Sequence, residues 1–353
     1  MKYTFEDLKA FYSNKNILVT GHTGFKGGWL CLFLKYLNAN VFGISIDRLE
    51  TSLKAGFDSK LVADEMIVDI NKTEIYENKI KSFKPDIIFY LAAQPFVREA
   101  FLNPIETFQS NVSGLIQFLN ILRNIDEAKL VLIVTSDKVY EETDQDIKFE
   151  ETDRLGGIEP YSASKAIQEI ISKCFYESYF KDQKKVVTVR AGNVIGGGDF
   201  GKDRLIVDII NSIKNNSAME VRYPDNTRPW QYILDLIYGY LCTVFEINKY
   251  NKNFESFNFA PKKSYPVSEI LRFSSDYWGN LFKYKIVQNK KSIFEQNKLT
   301  INSQKIQNLI GWQTKNKLSE ILFPTFEWYK SYLDGDDMKK INDNLIQKFI
   351  KEV

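Results

Sequence analysis

Residues 16–47 read NILVTGHTGFKGGWLCLFLKYLNANVFGISID, and this stretch decides the fold. Ile17-Leu18-Val19 is a short apolar run of the kind buried on both faces of a parallel sheet. Gly21-His22-Thr23-Gly24-Phe25-Lys26-Gly27 follows as a Gly-x-x-Gly-x-x-Gly turn. Trp29, Leu30, Leu32, Phe33 and Leu37 then recur at helical spacing, and a second strand runs from Val41 to Ile46. Asp47 closes that strand. Each part suits a dinucleotide. The glycines let the backbone turn tightly and approach a pyrophosphate, whose charge the helix N-terminus accepts. Asp47 is placed to hydrogen-bond a ribose 2′-hydroxyl and to repel a 2′-phosphate, which favours NAD over NADP, while Arg48 beside it pulls slightly the other way.

Composition narrows the partners. The net charge of +2 in 353 residues, with both signs interspersed, gives no reason to expect nucleic acid or a membrane surface. Cys31, Cys174 and Cys242 are scattered and odd in number, so neither a disulfide framework nor a metal site is expected. The N-terminal MKYTFEDLKAFYSNKN has no long apolar run, and a cytoplasmic protein without a membrane span is expected. The single histidine, His22, lies inside the glycine turn. No histidine remains for a Ser-His-Asp triad, so proton transfer falls to Tyr, Lys, Asp or Glu.

Downstream, strands alternate with helices. Residues 1–15 suggest a short amphipathic helix. Strands are expected at Met66–Val68, Asp86–Leu91, Leu130–Val134 and Val186–Arg190, with helices at Ile105–Asn124 and Tyr161–Phe180. This alternation predicts an α/β, doubly wound parallel sheet of the Rossmann type with helices on both faces. Past residue 194 the pattern becomes helices, short strands and loops, ending in a helix near Leu318–Tyr332. We therefore expect a dinucleotide-binding domain at 1–193, rejoined by some later segments, and a smaller, discontinuous substrate-binding lobe over most of 194–353. Ligands of such sheets lie at the carboxyl ends of the strands. The candidate cofactor contacts are accordingly Gly21, Thr23, Gly24, Phe25, Lys26, Gly27, Asp47, Arg48, Asp69, Ile70, Leu91, Ala92, Ala93 and Gln94, with Tyr161 and Lys165.

Tyr161 and Lys165 are four apart and share one face of a helix. An ammonium beside a phenol favours the phenolate and lowers its pKa from about 10 toward neutrality. The pair can then take a proton from a sugar hydroxyl while the carbinol hydride leaves for NAD. With these residues in view, the chain resembles the extended short-chain dehydrogenase/reductases, and within them is most similar to the CDP-glucose 4,6-dehydratase branch. The matching stretches are GHTGFKG, LAAQPFVR, TSDKVY, YSASK, RAGNVIGGGD, KDRLI, RPWQ and LDGDDM, spread over the whole chain.

The resemblance implies a hydro-lyase of deoxysugar and polysaccharide biosynthesis, an NAD-dependent 4,6-dehydratase of a nucleotide sugar. Tyr161 would deprotonate the C4 hydroxyl with Ser136 bonded to the same oxygen. Lys138, where related enzymes carry a glutamate, would take the C5 proton. Asp137 would protonate the departing C6 hydroxyl. Burial or cations such as Lys165 would have to depress the pKa of Lys138. Gln94, Asn193, Arg204 and Arg228 would hold the nucleotide sugar, the arginine forks suiting a diphosphate. Departures from the branch occur at Gly28, Tyr232, 143–153 and 292–297, and read as changes facing the substrate. A 4,6-dehydratase of another nucleotide hexose, a nucleotide-sugar 4-epimerase and a non-catalytic NAD-binding regulator stay open as alternatives. Many relatives pair through these two long helices. Leu115, Phe118, Leu119, Ile167, Ile170, Ile171 and Phe175 offer apolar surface for that, so a homodimer or homotetramer is expected.

Overall fold

The computed structural model describes residues 1–47, 55–141, 147–181, 183–250, 253–287, 299–315 and 317–353. Arg48, residues 143–146 of one divergent segment and all of 292–297 lie outside them. Seven strands form the central sheet: β1 (Asn16–Thr20), β2 (Asn40–Ser45), β3 (Asp64–Ile67), β4 (Ile87–Tyr90), β5 (Leu130–Val134), β6 (Lys185–Ala191) and β7 (Phe254–Phe259). Their order is β7-β6-β5-β4-β1-β2-β3, with every pairing parallel. The direction of winding reverses between β1 and β4, which opens a crevice at their carboxyl ends. β7 joins the sheet from far along the chain, in register with β6 from Phe254 opposite Val186 to Phe259 opposite Ala191.

Side chains alternate across the sheet as a period of two requires. Ile17, Val19, Ile87, Phe89, Leu130 and Leu132 enter one core, while Leu18, Ile88, Tyr90, Val131 and Ile133 enter the other. Each such residue fully buried contributes roughly 1.5–3 kcal/mol, so the near-continuous apolar strands commit both faces to helices. Helices α1 (Phe5–Tyr12) and α2 (Phe25–Tyr36) lie on the first core. A helix at Gly114–Leu122 (α3) covers the second, and α4 (Pro160–Phe175) runs beside it.

The long helix expected at Ile105–Asn124 is broken. It runs as Pro104–Phe108, a π turn at Gln109–Ser113, and α3. The π turn carries the buried Asn111, and such turns concentrate at functional sites. Leu115, Phe118 and Leu119, expected to face a second subunit, are fully buried against the sheet. The apolar residues left exposed there are Leu102, Ile105, Ile116 and, on α4, Ile170.

Candidate active site

The glycine turn leaves β1 at Gly21, whose φ of +73° suits glycine. A Cβ there would also lie 3.0 Å from the Leu91 carbonyl carbon and the Ala92 nitrogen, so the loops after β1 and β4 touch along their backbones. Thr20 Oγ1 ties them, accepting the N–H groups of Leu91 and Ala92 at 3.1 Å each. Helix α2 starts at Gly24 with no side-chain cap and no acid in its first turn. Its first N–H groups therefore remain available to an anion. Gly27 closes the cradle, because a Cβ there would collide with Gly21 O and come within 2.8 Å of His22 Cα. Thr23 Oγ1 donates to the Asp47 carbonyl at 2.7 Å, fastening the turn to the end of β2. The Asp47 side chain is exposed, and Asp69 at the neighbouring strand end accepts Asn71 N at 2.9 Å. Ile70 is buried below it. Uncapped N–H groups, a cradle that any side chain would fill and an exposed acid one strand over fit a dinucleotide.

Gln94, an expected contact, and His22, the histidine of the turn, both have partners within the protein. Gln94 donates from Nε2 to Thr107 Oγ1 at 2.9 Å and to Phe96 O at 3.1 Å, and its Oε1 accepts from Phe96 N. Its amide ties the loop that includes Phe96 to Thr107. His22 turns away from the crevice: Nε2 lies 3.0 Å from Glu65 Oε2 and Nδ1 3.0 Å from Ser45 Oγ. Gly43 makes room for this ring, since a Cβ there would sit 2.6 Å from His22 Cδ2.

Strand β5 leads into the residues expected to react. Beyond Val134 the chain forms a short 3-10 turn at Asp137–Val139, capped by Ser136 Oγ accepting from Lys138 N at 3.2 Å. The same hydroxyl donates to Asp137 Oδ1 at 3.1 Å. Ser136 and Asp137 are buried, and Lys138 is half-buried; among the described residues its ammonium makes no hydrogen bond or ion pair. Helix α4 begins at Pro160, with Glu159 accepting the N–H groups of Tyr161 and Ser162 at 2.7 Å each. That cap sets Tyr161 in the first turn and Lys165 one turn on, both buried.

Electrostatics here differ from the expected phenolate. Burial pushes the Tyr161 phenol up to about 12, against a hydrogen bond shared with Ser136 and the charge of Arg204, with Asp137 adding to the rise. Burial, and Lys26 nearby, push Lys165 down to about 7. Lys165 Nζ donates to Val134 O at 3.3 Å and to Gln168 Oε1 at 3.0 Å. Both members of the pair are thus driven toward neutrality, because burial is the largest influence on each. Lys26, expected among the cofactor contacts, reaches the same centre. Burial and Arg204 lower it to about 8, while Asp137 and Asp199 oppose them.

Beneath these groups lies a polar cluster that the spacing of the motifs did not reveal. Glu169 accepts from Thr135 Oγ1 at 2.5 Å, Thr188 Oγ1 at 2.7 Å and Arg190 Nη2 at 2.9 Å, all buried. Arg190 Nη1 donates to Tyr140 OH at 2.7 Å, which donates to Asn258 Oδ1 at 2.6 Å. Four elements meet there: the end of β5, α4, β6 and β7. Arg190 and Tyr140 stand inside RAGN and TSDKVY, which was the available clue.

On the far side of the crevice, Asn193 has φ +32° and its carbonyl accepts Gln231 N at 3.1 Å. Arg204 Nη1 donates to Asp199 Oδ2 at 2.9 Å, with the guanidinium 5.7 Å from the Phe96 ring centre. Arg228 lies on the two-residue strand Thr227–Arg228, paired with Tyr265–Pro266, and its Nη1 donates to Thr227 O at 3.0 Å. Arg204 joins Lys26, Asp137 and Tyr161 electrostatically. Two departures read as substrate-facing belong to packing instead. Gly28 lies under the Phe57 ring, and Tyr232 is buried in the large core with Lys315 Nζ 5.7 Å from its ring centre.

Sheet order, glycine turn and the Tyr161/Lys165 helix after β5 define a short-chain dehydrogenase/reductase of the extended type. The chain matches the family described as GDP-mannose 4,6 dehydratase over residues 18–324, and it belongs to that family. It is 35% identical over 342 residues to CDP-glucose 4,6-dehydratase of Salmonella typhimurium, with 94% of each chain covered. Among solved structures, epimerase Mth375 of Methanothermobacter thermautotrophicus superposes with a TM-score of 0.82 at 20% identity, covering 95% of this chain and 97% of that one. MoeE5 in complex with UDP-glucose and NAD gives 0.76 at 20% identity, covering 90% and 99%. These two likenesses carry the fold.

Proposed function

We propose that this protein is an NAD-dependent nucleotide-sugar 4,6-dehydratase, a hydro-lyase, with CDP-glucose as its substrate. What carries the reading is the set of groups after β5: an acid (Asp137) and an amine (Lys138) adjacent in one turn, beside the phenol of Tyr161. An epimerase has no use for that acid and base. The 35% identity with a CDP-glucose 4,6-dehydratase over nearly the whole chain supports the substrate.

NAD would be held by the glycine turn, Asp47 and the loops after β3 and β4, and would supply a hydride acceptor for C4 and a hydride donor for C6. Tyr161 takes the C4 hydroxyl proton in its phenolate form, the minor form in this buried site and the one a protonated Lys165 favours, with Ser136 bonded to that oxygen. Lys138 removes the C5 proton, which the 4-keto group has made acidic, and returns a proton to C5 when C6 receives the hydride. Asp137 donates a proton to the C6 hydroxyl, which leaves as water. Asn193, Arg204 and Arg228 bind the diphosphate, whose charge suits their donors. On this reading residues 1–193 form the cofactor domain and most of 194–353 the sugar-nucleotide lobe. A cytoplasmic location goes with it, in keeping with three free cysteines. So does a homodimer or homotetramer, supported by the exposed Ile105 and Ile170 on neighbouring helical segments.

The test is to incubate purified protein with CDP-, GDP-, UDP- and dTDP-glucose and GDP-mannose, following 4-keto-6-deoxy product by mass spectrometry. Product from the CDP sugar is expected. Epimerised sugar without loss of water, or no product from any of them, would overturn the reading.

A further inference from the structure

Gln168 is fully buried on α4, three residues past Lys165. Its Oε1 accepts from Lys165 Nζ at 3.0 Å, and its Nε2 donates to Asn111 O, inside the π turn, at 2.7 Å. The second bond fixes which end of the amide faces the lysine. A flipped carboxamide would set N–H groups against the ammonium and a carbonyl against a carbonyl. The π turn is itself tied down, because Asn111 Oδ1 accepts Gln94 N at 2.7 Å and its Nδ2 donates to Ser164 Oγ at 2.9 Å. Ser164 Oγ in turn donates to the Tyr161 carbonyl at 2.7 Å. One connected set of bonds thus runs from the loop after β4, through the π turn, to both residues of the Tyr-Lys pair.

We propose that Gln168 is a positioning residue for catalysis: its locked carbonyl holds Lys165 Nζ in place beside Tyr161 and raises the share of it that is protonated against the pull of its buried site. An acceptor facing an ammonium favours the charged form. The other charges acting on Lys165 are Lys26 from α2, which opposes protonation, and Glu169 on α4, which favours it; Tyr161 shares its helix face. Burial and Lys26 both work against the ammonium, and among the described residues its Nζ donates to two neutral acceptors, the Gln168 carbonyl and the Val134 carbonyl. The proposal rests on the dehydratase reading only through the role given there to the Tyr-Lys pair.

The test measures the titration of Lys165 directly, by NMR of lysine-13C-labelled protein, with Lys165→Met identifying its resonance. Gln168→Met keeps the length and removes both hydrogen bonds. The Lys165 midpoint is expected to fall by about one unit. Turnover at neutral pH is expected to fall about tenfold with little change in KM, and the alkaline limb of the kcat profile to move down with the midpoint. Gln168→Glu puts a negative charge at the same place and is expected to move midpoint and limb upward. Thermal melts show whether each variant folds, and if Gln168→Met does not, the upward shift in Gln168→Glu decides. A Lys165 midpoint unchanged in the folded variants, or moving the same way in both, would overturn the proposal. A wild-type protein that turns over no nucleotide sugar would overturn the functional reading alone, since the titration still judges Gln168.

Discussion

Gly192 has no side chain where the Asp137 carboxylate lies. A Cβ at 192 would come within 2.9 Å of Oδ1 and nearer still to Cγ and Oδ2. The exit of β6 is therefore one wall of the seat for the buried acid, and Gln231 Nε2 steadies that wall by donating to Gly192 O at 2.7 Å. Gly192→Ala should displace the carboxylate without touching the glycine turn or Tyr161. We expect formation of 4-keto-6-deoxy product to fall by about two orders of magnitude, while reduction of bound NAD on adding substrate survives. Equal loss of both in stopped-flow absorbance would mean that the site as a whole had shifted.

On the roles proposed above, Lys138 separates dehydration from simple C4 oxidation. Lys138→Ala should still allow NADH to form, because that step depends on Tyr161. Product should drop by about two to four orders of magnitude, and solvent deuterium should stop entering C5. Tyr161→Phe should abolish NADH formation itself. Near-normal turnover in Lys138→Ala, read by mass spectrometry, would send the search for the C5 base elsewhere.

Gly28 and Phe57 form a pair across the core. A Cβ at 28 would lie 2.7 Å from Phe57 Cγ, and that ring packs edge-on against Trp29 at 5.2 Å between centres. Gly28→Ser should therefore overpack the site and cost about 1–3 kcal/mol. Combining it with Phe57→Leu should recover part of the loss, so the two changes are non-additive in thermal or urea unfolding. A simple sum of the single effects would show that Phe57 is not what keeps residue 28 small.

Burial of Lys165 predicts a pH dependence of stability. Its pKa is about 7 in the folded protein, against an ordinary 10.5. Between these values the unfolded chain binds the extra proton, so stability from this group rises with pH across that window. Below pH 7 the penalty is fully present. Lys165→Met removes it, and should melt at least about 2 °C above the wild type at pH 7, with the gap closing toward pH 10. A gap that stays constant or widens in calorimetry would show that the lysine is stably charged in the fold.

What the sequence determined by itself was local. Apolar strands, the glycine turn with its helix, and the four-residue step from Tyr161 to Lys165 follow from backbone geometry over a few bonds, and β1, α2 and α4 form where those patterns run. Strand ends at the carboxyl edge likewise followed from alternation of elements. Only the tertiary structure could set what depends on neighbours distant in the chain. Gly192 against Asp137, Phe57 over Gly28, and Glu169 with Arg190 pair residues that no window spans. The same holds for charge. Spacing places an ammonium beside a phenol, but the depth of burial and the approach of Lys26 decide that both lean toward their neutral forms. Leu115 and Tyr232 teach the same point, since an apolar or altered residue shows its type in the sequence but not its direction. Direction is fixed by which element packs on which, and Tyr232 is turned into the large apolar core, which elements distant in the chain assemble.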